Sequence, residues 1–287
     1  MTFTKPSRTL FGDVRLIIAL MILVLGFFLS VPRTVRAASE LYSTSFFSDS
    51  NLLNYYRFEG NSNDSKGSNN GTDTNISYSS SYGKFGQGSL FQTASSSKIV
   101  TGSNNLGTGD NEFTYSVWVN PTNVTGGDFV MQLGNFSTQS AGLGLVVISS
   151  ESGHSNTFKL ALAGSGNVYA PDNSVPTSTW THLAITKTTG ALSSTTTKLY
   201  VNGSPVTISI DSSVTPNTAS NPLVFGAYTA TGPSYGDYFD GKIDDPALFN
   251  RALSASDVSA LYSGTLSLSS LQQYYSDATT TLAAVTS

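Results

Sequence analysis

Short stretches in which apolar and polar residues alternate recur along most of this chain, and their two-residue period is typical of β-strands. In residues 113–119, Phe, Tyr, Val and Val occupy every second position until Pro121 ends the run. Residues 198–208 form two such runs on either side of Asn202-Gly203, the dipeptide that favours a type I′ hairpin turn. Further short apolar runs lie at 52–58, 129–133, 143–148, 157–163, 180–186 and 223–227.

The end of this β-rich region contains the one helix that the pattern predicts after residue 52. Ser254 and Asp257 have the spacing of a capping box. An apolar stripe with helical spacing follows at Val258, Leu261 and Tyr262. Many short strands separated by turns, with one short C-terminal helix, predict an all-β fold built as an antiparallel sandwich.

Residues 243–249, directly before this helix, predict a strand that contains Asp244, Asp245 and Pro246. A proline inside a strand is confined to an edge or a bulge. Neighbouring residues of a strand point to opposite faces, so we expect at least one of the two aspartates to face inward. A buried carboxylate needs a partner, and either a metal ion or backbone N–H groups would serve.

The N-terminus predicts export. Basic residues precede an apolar run at 16–31, and the small-x-small tripeptide Val35-Arg36-Ala37 follows it. This pattern favours a hydrophobic signal helix that is cleaved. A retained anchor is the alternative, and only then do we expect contact with a membrane. The expected organisation is a signal peptide or anchor at 1–37, a lead-in at 38–51, the sandwich at 52–264 and a tail or linker at 265–287.

The order of several phrases resembles the laminin-G-like domains of the concanavalin A-like lectin/glucanase superfamily. The opening is the phrase 55–71, the next is Gly-Lys-Phe-Gly-Gln-Gly at 83–88, and the middle is Phe-Thr-Tyr-Ser-Val-Trp-Val-Asn-Pro at 113–121. The closing phrase is carried by Phe239, Gly241, Ile243, Asp244, Asp245, Phe249, Asn250, Arg251, Leu253, Ser254, Val258, Leu261 and Tyr262. Pro246 departs from the family, which has valine there. The resemblance implies a jelly-roll sandwich over residues 52–264.

Composition and charge narrow the function classes. The 287 residues carry a formal net charge of −4, so the chain has no basic footprint for nucleic acid. It has no cysteine, which excludes disulfides and thiol chemistry. Glycoside hydrolysis needs two carboxylates that flank the scissile bond. The glutamates at 40, 59, 112 and 151 are scattered, without the clustered signature of the superfamily's glucanases, so we do not expect an enzyme.

The resemblance also implies a structural calcium ion between the opening loop and the closing strand. The matching positions are Glu59, Asn61, Asp64 and Asp245. Oxygen-rich residues are the ligands that calcium prefers, and the ion would tie the first and last strands together. The alternative is that residues 64–67 form only a turn. In either case Asp244 is expected to be structural.

The candidate ligand platform is the loop that contains Tyr228, Tyr235 and Tyr238. Tyrosine is amphipathic and is enriched at interfaces, although such a loop could also pack against its own sandwich. We therefore expect a secreted or cell-surface recognition module that binds a glycan or a surface protein in adhesion. The alternative is a structural envelope protein with protein–protein contacts, and a glycoside hydrolase is a distant third.

Overall fold

The computed structural model describes residues 48–103, 106–134, 136, 141–164, 166–218, 221–229 and 234–264. The chain divides into two compact units, 1–38 and 39–287, and all the described residues belong to the second unit. The predicted signal segment and the tail after residue 264 lie outside the described residues. Within them, no helix is long and apolar enough to span a membrane.

The described residues fold as strands, with one 3₁₀ turn at Thr93–Ser95 and one α-helix, α1, at Ala255–Ser263. The strands are β1 Leu52–Tyr55, β2 Thr72–Thr74, β3 Ser77–Ser79, β4 Gly88–Phe91, β5 Lys98–Ser103, β6 Phe113–Asn123, β7 Gly127–Leu133, β8 Leu143–Glu151, β9 His154–Leu162, β10 Gly166–Tyr169, β11 Thr181–Lys187, β12 Thr197–Val201, β13 Ser204–Val206, β14 Ser209–Ile210, β15 Pro222–Phe225, β16 Tyr228–Thr229, β17 Tyr235–Gly236 and β18 Asp240–Phe249.

Two eight-stranded antiparallel sheets form the sandwich that the sequence predicts. The first sheet has the order β13-β12-β11-β6-β18-β4-β3, and β1 also pairs with β18. The second sheet has the order β14-β10-β9-β8-β7-β15-β5-β2. Strands β16 and β17 form a separate hairpin. Strands distant in sequence are neighbours in both sheets, as expected for a jelly roll.

The main core lies between the two sheets. Alternate residues of β6 point into it, and Phe113, Tyr115, Val117 and Val119 are fully buried there. Leucine, valine and phenylalanine residues of β7, β8, β9 and β15 fill the opposite side. The hairpin at Asn202-Gly203 is also confirmed, because both residues have the positive φ values, 48° and 76°, that a type I′ turn requires.

A second, smaller core lies on the outer face of the first sheet, beneath α1. The capping box of α1 is complete, since Ser254 Oγ accepts the Asp257 N–H and the Asp257 carboxylate accepts the Ser254 N–H. Val258 and Leu261 are buried against the sheet. Tyr262, predicted as part of the same apolar stripe, is instead 37% exposed because it lies at the rim of this core.

Pro246 lies at a bulge of β18, one of the two positions that the sequence allows. The pairing of β18 with β6 shifts register between Asp244 and Ala247, and Asp245 has a left-handed φ of 51°. On its other edge β18 pairs first with β4 and then with β1, so the bulge falls where the partner strand changes. This backbone turn lets β18 bury both aspartates.

Candidate functional site

The opening and closing phrases meet at a group of acidic side chains, here called the clasp and defined as Glu59, Asp64, Asp244 and Asp245. The Tyr55 hydroxyl donates to Asp245 Oδ1 at 2.6 Å, across 190 residues of sequence. Strand β1 lies directly beside β18, so the two ends of the predicted sandwich are neighbours in space.

The clasp also holds the loop at 83–88. Asp244 Oδ2 accepts the backbone N–H groups of Lys84 at 2.7 Å and Phe85 at 3.0 Å. Both carboxylate oxygens of Glu59 accept the Gln87 N–H. Two acidic side chains, one from each end of the sandwich, therefore fix the same loop. The prediction that Asp244 has a structural role agrees with these contacts.

Both aspartates of β18 are buried, and their environments raise their pKa values. Burial is the main cause for Asp244, and the adjacent Asp245 raises its pKa further, while three backbone N–H groups oppose the shift. Burial also raises the pKa of Asp245, whereas the Tyr55 hydroxyl and the charge of Arg57 lower it. Two adjacent buried carboxylates thus share little compensating positive charge.

The Asp64 carboxylate fastens its own loop to strand β1. Oδ1 accepts the N–H groups of Tyr55 and Lys66, and Oδ2 accepts the Asn54 side-chain amide and the Asn69 N–H. These bonds explain why a buried aspartate is tolerated there. They also engage the oxygens that a calcium ion would need.

The structure therefore brings only part of the predicted calcium set together. Glu59 lies near enough to Asp245 to raise its pKa, whereas Asn61 is exposed and its side-chain oxygen accepts the Asn63 N–H. Across the described ranges, no three histidine, aspartate or glutamate side chains form a group that could hold a metal ion. The carboxylates of Asp245 and Asp64 are both of the type that binds calcium, but each oxygen of Asp64 already accepts two N–H groups, and the ion stays a prediction.

A second feature lies on the outer face of the second sheet, away from the main core. Phe129, Val146, Lys159, Tyr169 and Ser209 are paired in register from β7 to β14 and form one row across the sheet. We call the apolar group on this face the outer-face cluster; it consists of Phe129, Phe136, Val146, Ile148, Ala161, Tyr169 and Tyr228.

Tyr228 closes one end of the outer-face cluster. Its ring centroid lies 5.1 Å from that of Phe129 and 5.5 Å from that of Phe136, with both rings inclined to it. Tyr228 itself remains half-buried. The amide of Gln132 fixes the adjacent backbone, since it bonds both the N–H and the carbonyl of Thr229.

Charged and aromatic side chains close the other end of this face. Lys159, which is 7% exposed, pairs with Glu151, and the Tyr169 hydroxyl donates to the same carboxylate. The His154 ring stacks on Tyr169 with centroids 4.1 Å apart, and Asp172 lies 3.4 Å from its Nδ1. The sequence analysis did not predict this group, although a lysine inside the apolar run 157–163 was a signal that a buried partner exists.

The three predicted ligand tyrosines do not share one surface. Tyr228 pairs with Gly236 and Tyr235 pairs with Thr229, so the two tyrosines point to opposite faces of the β16–β17 hairpin. Tyr235 lies beneath the Lys98 ammonium, at 4.7 Å from the ring centre. Tyr238 is half-buried where the chain bridges to Phe129. Of the three, only Tyr228 belongs to the outer-face cluster.

Comparison with known proteins agrees with this architecture. The family profile described as the concanavalin A-like lectin/glucanases superfamily matches residues 93–259, more than half of the chain. This chain belongs to the concanavalin A-like lectin/glucanases superfamily. The matched region runs from the 3₁₀ turn into α1 and includes the outer-face cluster. No curated protein sequence matches the chain.

Several solved structures share this superfamily fold. Domain 4 of AbnA, a GH43 extracellular arabinanase from Geobacillus stearothermophilus described in complex with arabinotriose, is 21% identical with a TM-score of 0.56, and the match covers 74% of this chain and 98% of that one. The receptor-binding domain of botulinum neurotoxin type G is 17% identical with a TM-score of 0.53, covering 75% of this chain and 51% of that one. The serotype C1 binding domain is 17% identical with a TM-score of 0.54, covering 76% and 53%.

The chain spans about half the length of the neurotoxin domains that it matches. The structural similarity to these proteins shows a shared fold. The family profile bears out the predicted superfamily, and the two antiparallel sheets bear out the predicted sandwich.

Proposed function

We propose that this protein is a non-catalytic recognition module that binds carbohydrate through the outer face of the second sheet. The observation that carries the proposal is the half-buried Tyr228, whose ring packs against those of Phe129 and Phe136. A sugar ring presents apolar C–H groups that can lie against the negatively charged face of an aromatic ring. A ring that is already fixed in place loses little entropy when it binds.

Polar groups on the same face supply the other half of carbohydrate recognition. Glu151 and Lys159 are anchored to each other and to Tyr169, so their remaining donors and acceptors have fixed directions. Ligand sites commonly combine aromatic surface with a few placed polar groups that set orientation. The row from Phe129 to Ser209 offers this combination along one continuous surface.

The fold supports this proposal without specifying the ligand. One protein of the same fold is described with arabinotriose, and others are described as receptor-binding domains. We propose that the mature chain acts outside the cell, secreted or at the cell surface, in adhesion to a glycan or a surface protein. Membrane attachment would arise only from an uncleaved N-terminal segment.

A glycan array with the full chain, in calcium and in a chelator, tests the proposal. We expect wild-type protein to bind a defined set of glycans and Tyr228→Ala to lose most of that signal. Tyr235→Ala is the matched control, because this ring points to the opposite face of the same hairpin. No glycan signal at any calcium level would overturn the proposal and favour a structural envelope protein.

A further inference from the structure

Trp118 and His182 face each other on the outer face of the first sheet, whereas the proposed carbohydrate surface belongs to the second sheet. They are a directly opposed pair of β6 and β11, and their ring centroids are 5.3 Å apart. Trp118 is 3% exposed and His182 is fully buried. Two rings that carry polar nitrogens are thus enclosed side by side.

Each ring has a buried nitrogen without a hydrogen-bond partner among the described residues. These atoms are Trp118 Nε1 and His182 Nδ1. Buried side-chain polar atoms normally have a partner, and an exception in a folded protein calls for an explanation such as a bound molecule. Both exceptions occur in one directly opposed pair of rings.

Ser116 is the hydrogen-bond partner of the second ring nitrogen of His182, Nε2. Its hydroxyl lies 2.9 Å from His182 Nε2, and this is the one hydrogen bond that the Ser116 side chain makes to any described residue. When the hydroxyl donates to Nε2, the ring proton lies on Nδ1. Burial lowers the pKa of His182 to about 3, so the ring is neutral and carries one N–H. Both free atoms are then donors.

The neighbouring carboxylate does not satisfy these donors. Asp244 is the residue opposite Trp118 on β18, but its oxygens accept the N–H groups of Lys84, Phe85 and Asp245. An acceptor for the two ring donors must therefore come from outside the described residues.

Two side chains that reach solvent cover the pair. Tyr262, in the last turn of α1, stacks on Trp118 with centroids 5.5 Å apart and an interplanar angle of 27°. The Lys84 ammonium lies 4.6 Å from the centre of the Trp118 ring and adds positive charge. A helix terminus frays more easily than its centre, so Tyr262 is the side chain that can open a path to the pair.

We propose that Trp118 and His182 form a two-donor site for a single oxygen acceptor, enclosed by Tyr262 and Lys84. The acceptor is either an internal water molecule or the carboxylate of an acidic ligand. Both can receive two hydrogen bonds from N–H groups, and the adjacent ammonium favours the carboxylate.

Nuclear magnetic resonance of the ¹⁵N-labelled full chain tests this site. We expect the ¹⁵N shifts of His182 to show the proton on Nδ1, and Ser116→Ala to convert this into a mixture of tautomers. We also expect the Trp118 indole proton either to show a cross-peak to a long-lived water or to shift saturably on addition of acetate or glucuronate. The indole of Trp180, the only other tryptophan, is the internal control.

The two sources give different results. A water cross-peak that acetate does not change identifies internal water. A saturable shift of the indole proton, together with faster binding of the added carboxylate in Tyr262→Ala, identifies the carboxylate. A proton on Nε2, or an indole that shows neither response, would overturn the proposal.

Discussion

Buried polar residues determine much of the behaviour of this protein at the scale of single side chains. His182, Asp244 and Asp245 all lie within two strand widths of one another on the first sheet, through the pairing of β11, β6 and β18. Each is tolerated because neighbouring groups supply hydrogen bonds. Their burial nevertheless links protonation to stability, and the sign differs between the histidine and the aspartates.

His182 makes the protein sensitive to acid. Its pKa is lowered from 6.5 to about 3 because burial disfavours the charged ring. Below pH 6.5 the unfolded chain therefore binds a proton that the folded protein does not. The contribution of the neutral His182 ring to the free energy of unfolding is complete above pH 6.5 and is lost as the pH falls below that value. We expect a loss of up to about 1.4 kcal/mol per pH unit in that range.

Urea unfolding of wild-type protein and His182→Gln at pH 7, 6 and 5 measures this effect. The difference in unfolding free energy between the two proteins should shrink as the pH falls. His154→Gln, which replaces the other histidine of the chain, is measured in parallel as the control. A pH-independent difference for His182→Gln would contradict the assignment.

The Tyr55 hydroxyl is the second residue-scale test. Its 2.6 Å bond to Asp245 joins the two ends of the sandwich, and a bond to a carboxylate contributes about 1.5–3 kcal/mol. Tyr56→Phe is a matched control, since the Tyr56 hydroxyl donates to a neutral carbonyl, that of Asn69. Denaturant unfolding should show a larger loss for Tyr55→Phe than for Tyr56→Phe. Equal losses of unfolding free energy in the two variants would contradict a larger contribution from the bond between Tyr55 and Asp245.

At the scale of elements, β18 organises the first sheet. It pairs with β6 along one edge and with β4 and then β1 along the other. Its bulge presents Asp244 to the loop at 83–88 and Asp245 to the Tyr55 hydroxyl. The proline after the two acidic residues predicted that this strand would have a bulge or lie at an edge of the sheet. The two aspartates then remain buried, and burial raises both pKa values. Asp245 raises the pKa of Asp244 further, and Glu59 raises that of Asp245.

This arrangement predicts how calcium and pH act together. The pKa values of Asp244 and Asp245 are higher in the folded protein than in the unfolded chain. The free energy of unfolding therefore decreases as the pH rises from about 4 through neutrality, because the folded protein must ionise buried carboxylates. A bound calcium ion would favour the ionised pair and remove this loss. We expect a chelator to lower the melting temperature, and to lower it more at pH 8 than at pH 5.

Calorimetric melting of the full chain in calcium and in a chelator provides the measurement. Asp245→Ala should abolish the difference between the two conditions, whereas Asp211→Ala, at an exposed position, should retain it. Identical melting curves for wild-type protein in calcium and in chelator would refute the calcium proposal.

The elements themselves were largely predictable from the sequence. Alternation in β6, the Asn202-Gly203 turn and the capping box at Ser254 each depend on neighbouring residues, so local pattern was sufficient. The site was less predictable, because it depends on register. Tyr228 and Tyr235 look equivalent in the loop, but hairpin pairing places them on opposite faces. The contact of Glu151 with Lys159 similarly requires knowledge of how β8 returns along β9.

At the scale of the whole molecule, the clasp and the proposed carbohydrate surface belong to different sheets of the sandwich. The clasp and α1 close the first sheet, while the second sheet presents an outer face with aromatic rings at one end and a charged pair at the other. Members of the concanavalin A-like lectin/glucanases superfamily share this two-sheet architecture. The proposed carbohydrate surface can therefore vary while the clasp preserves the fold.

Isothermal titration with the glycan that gives the strongest array signal tests this account most directly. Wild-type protein, Tyr228→Ala and Tyr235→Ala should unfold with similar free energies. We predict that Tyr228→Ala weakens binding about tenfold, since truncation of an interface aromatic commonly costs more than about 1 kcal/mol, while Tyr235→Ala changes the affinity less than about twofold. Equal affinities for wild-type protein and Tyr228→Ala would contradict a binding surface on the outer face of the second sheet.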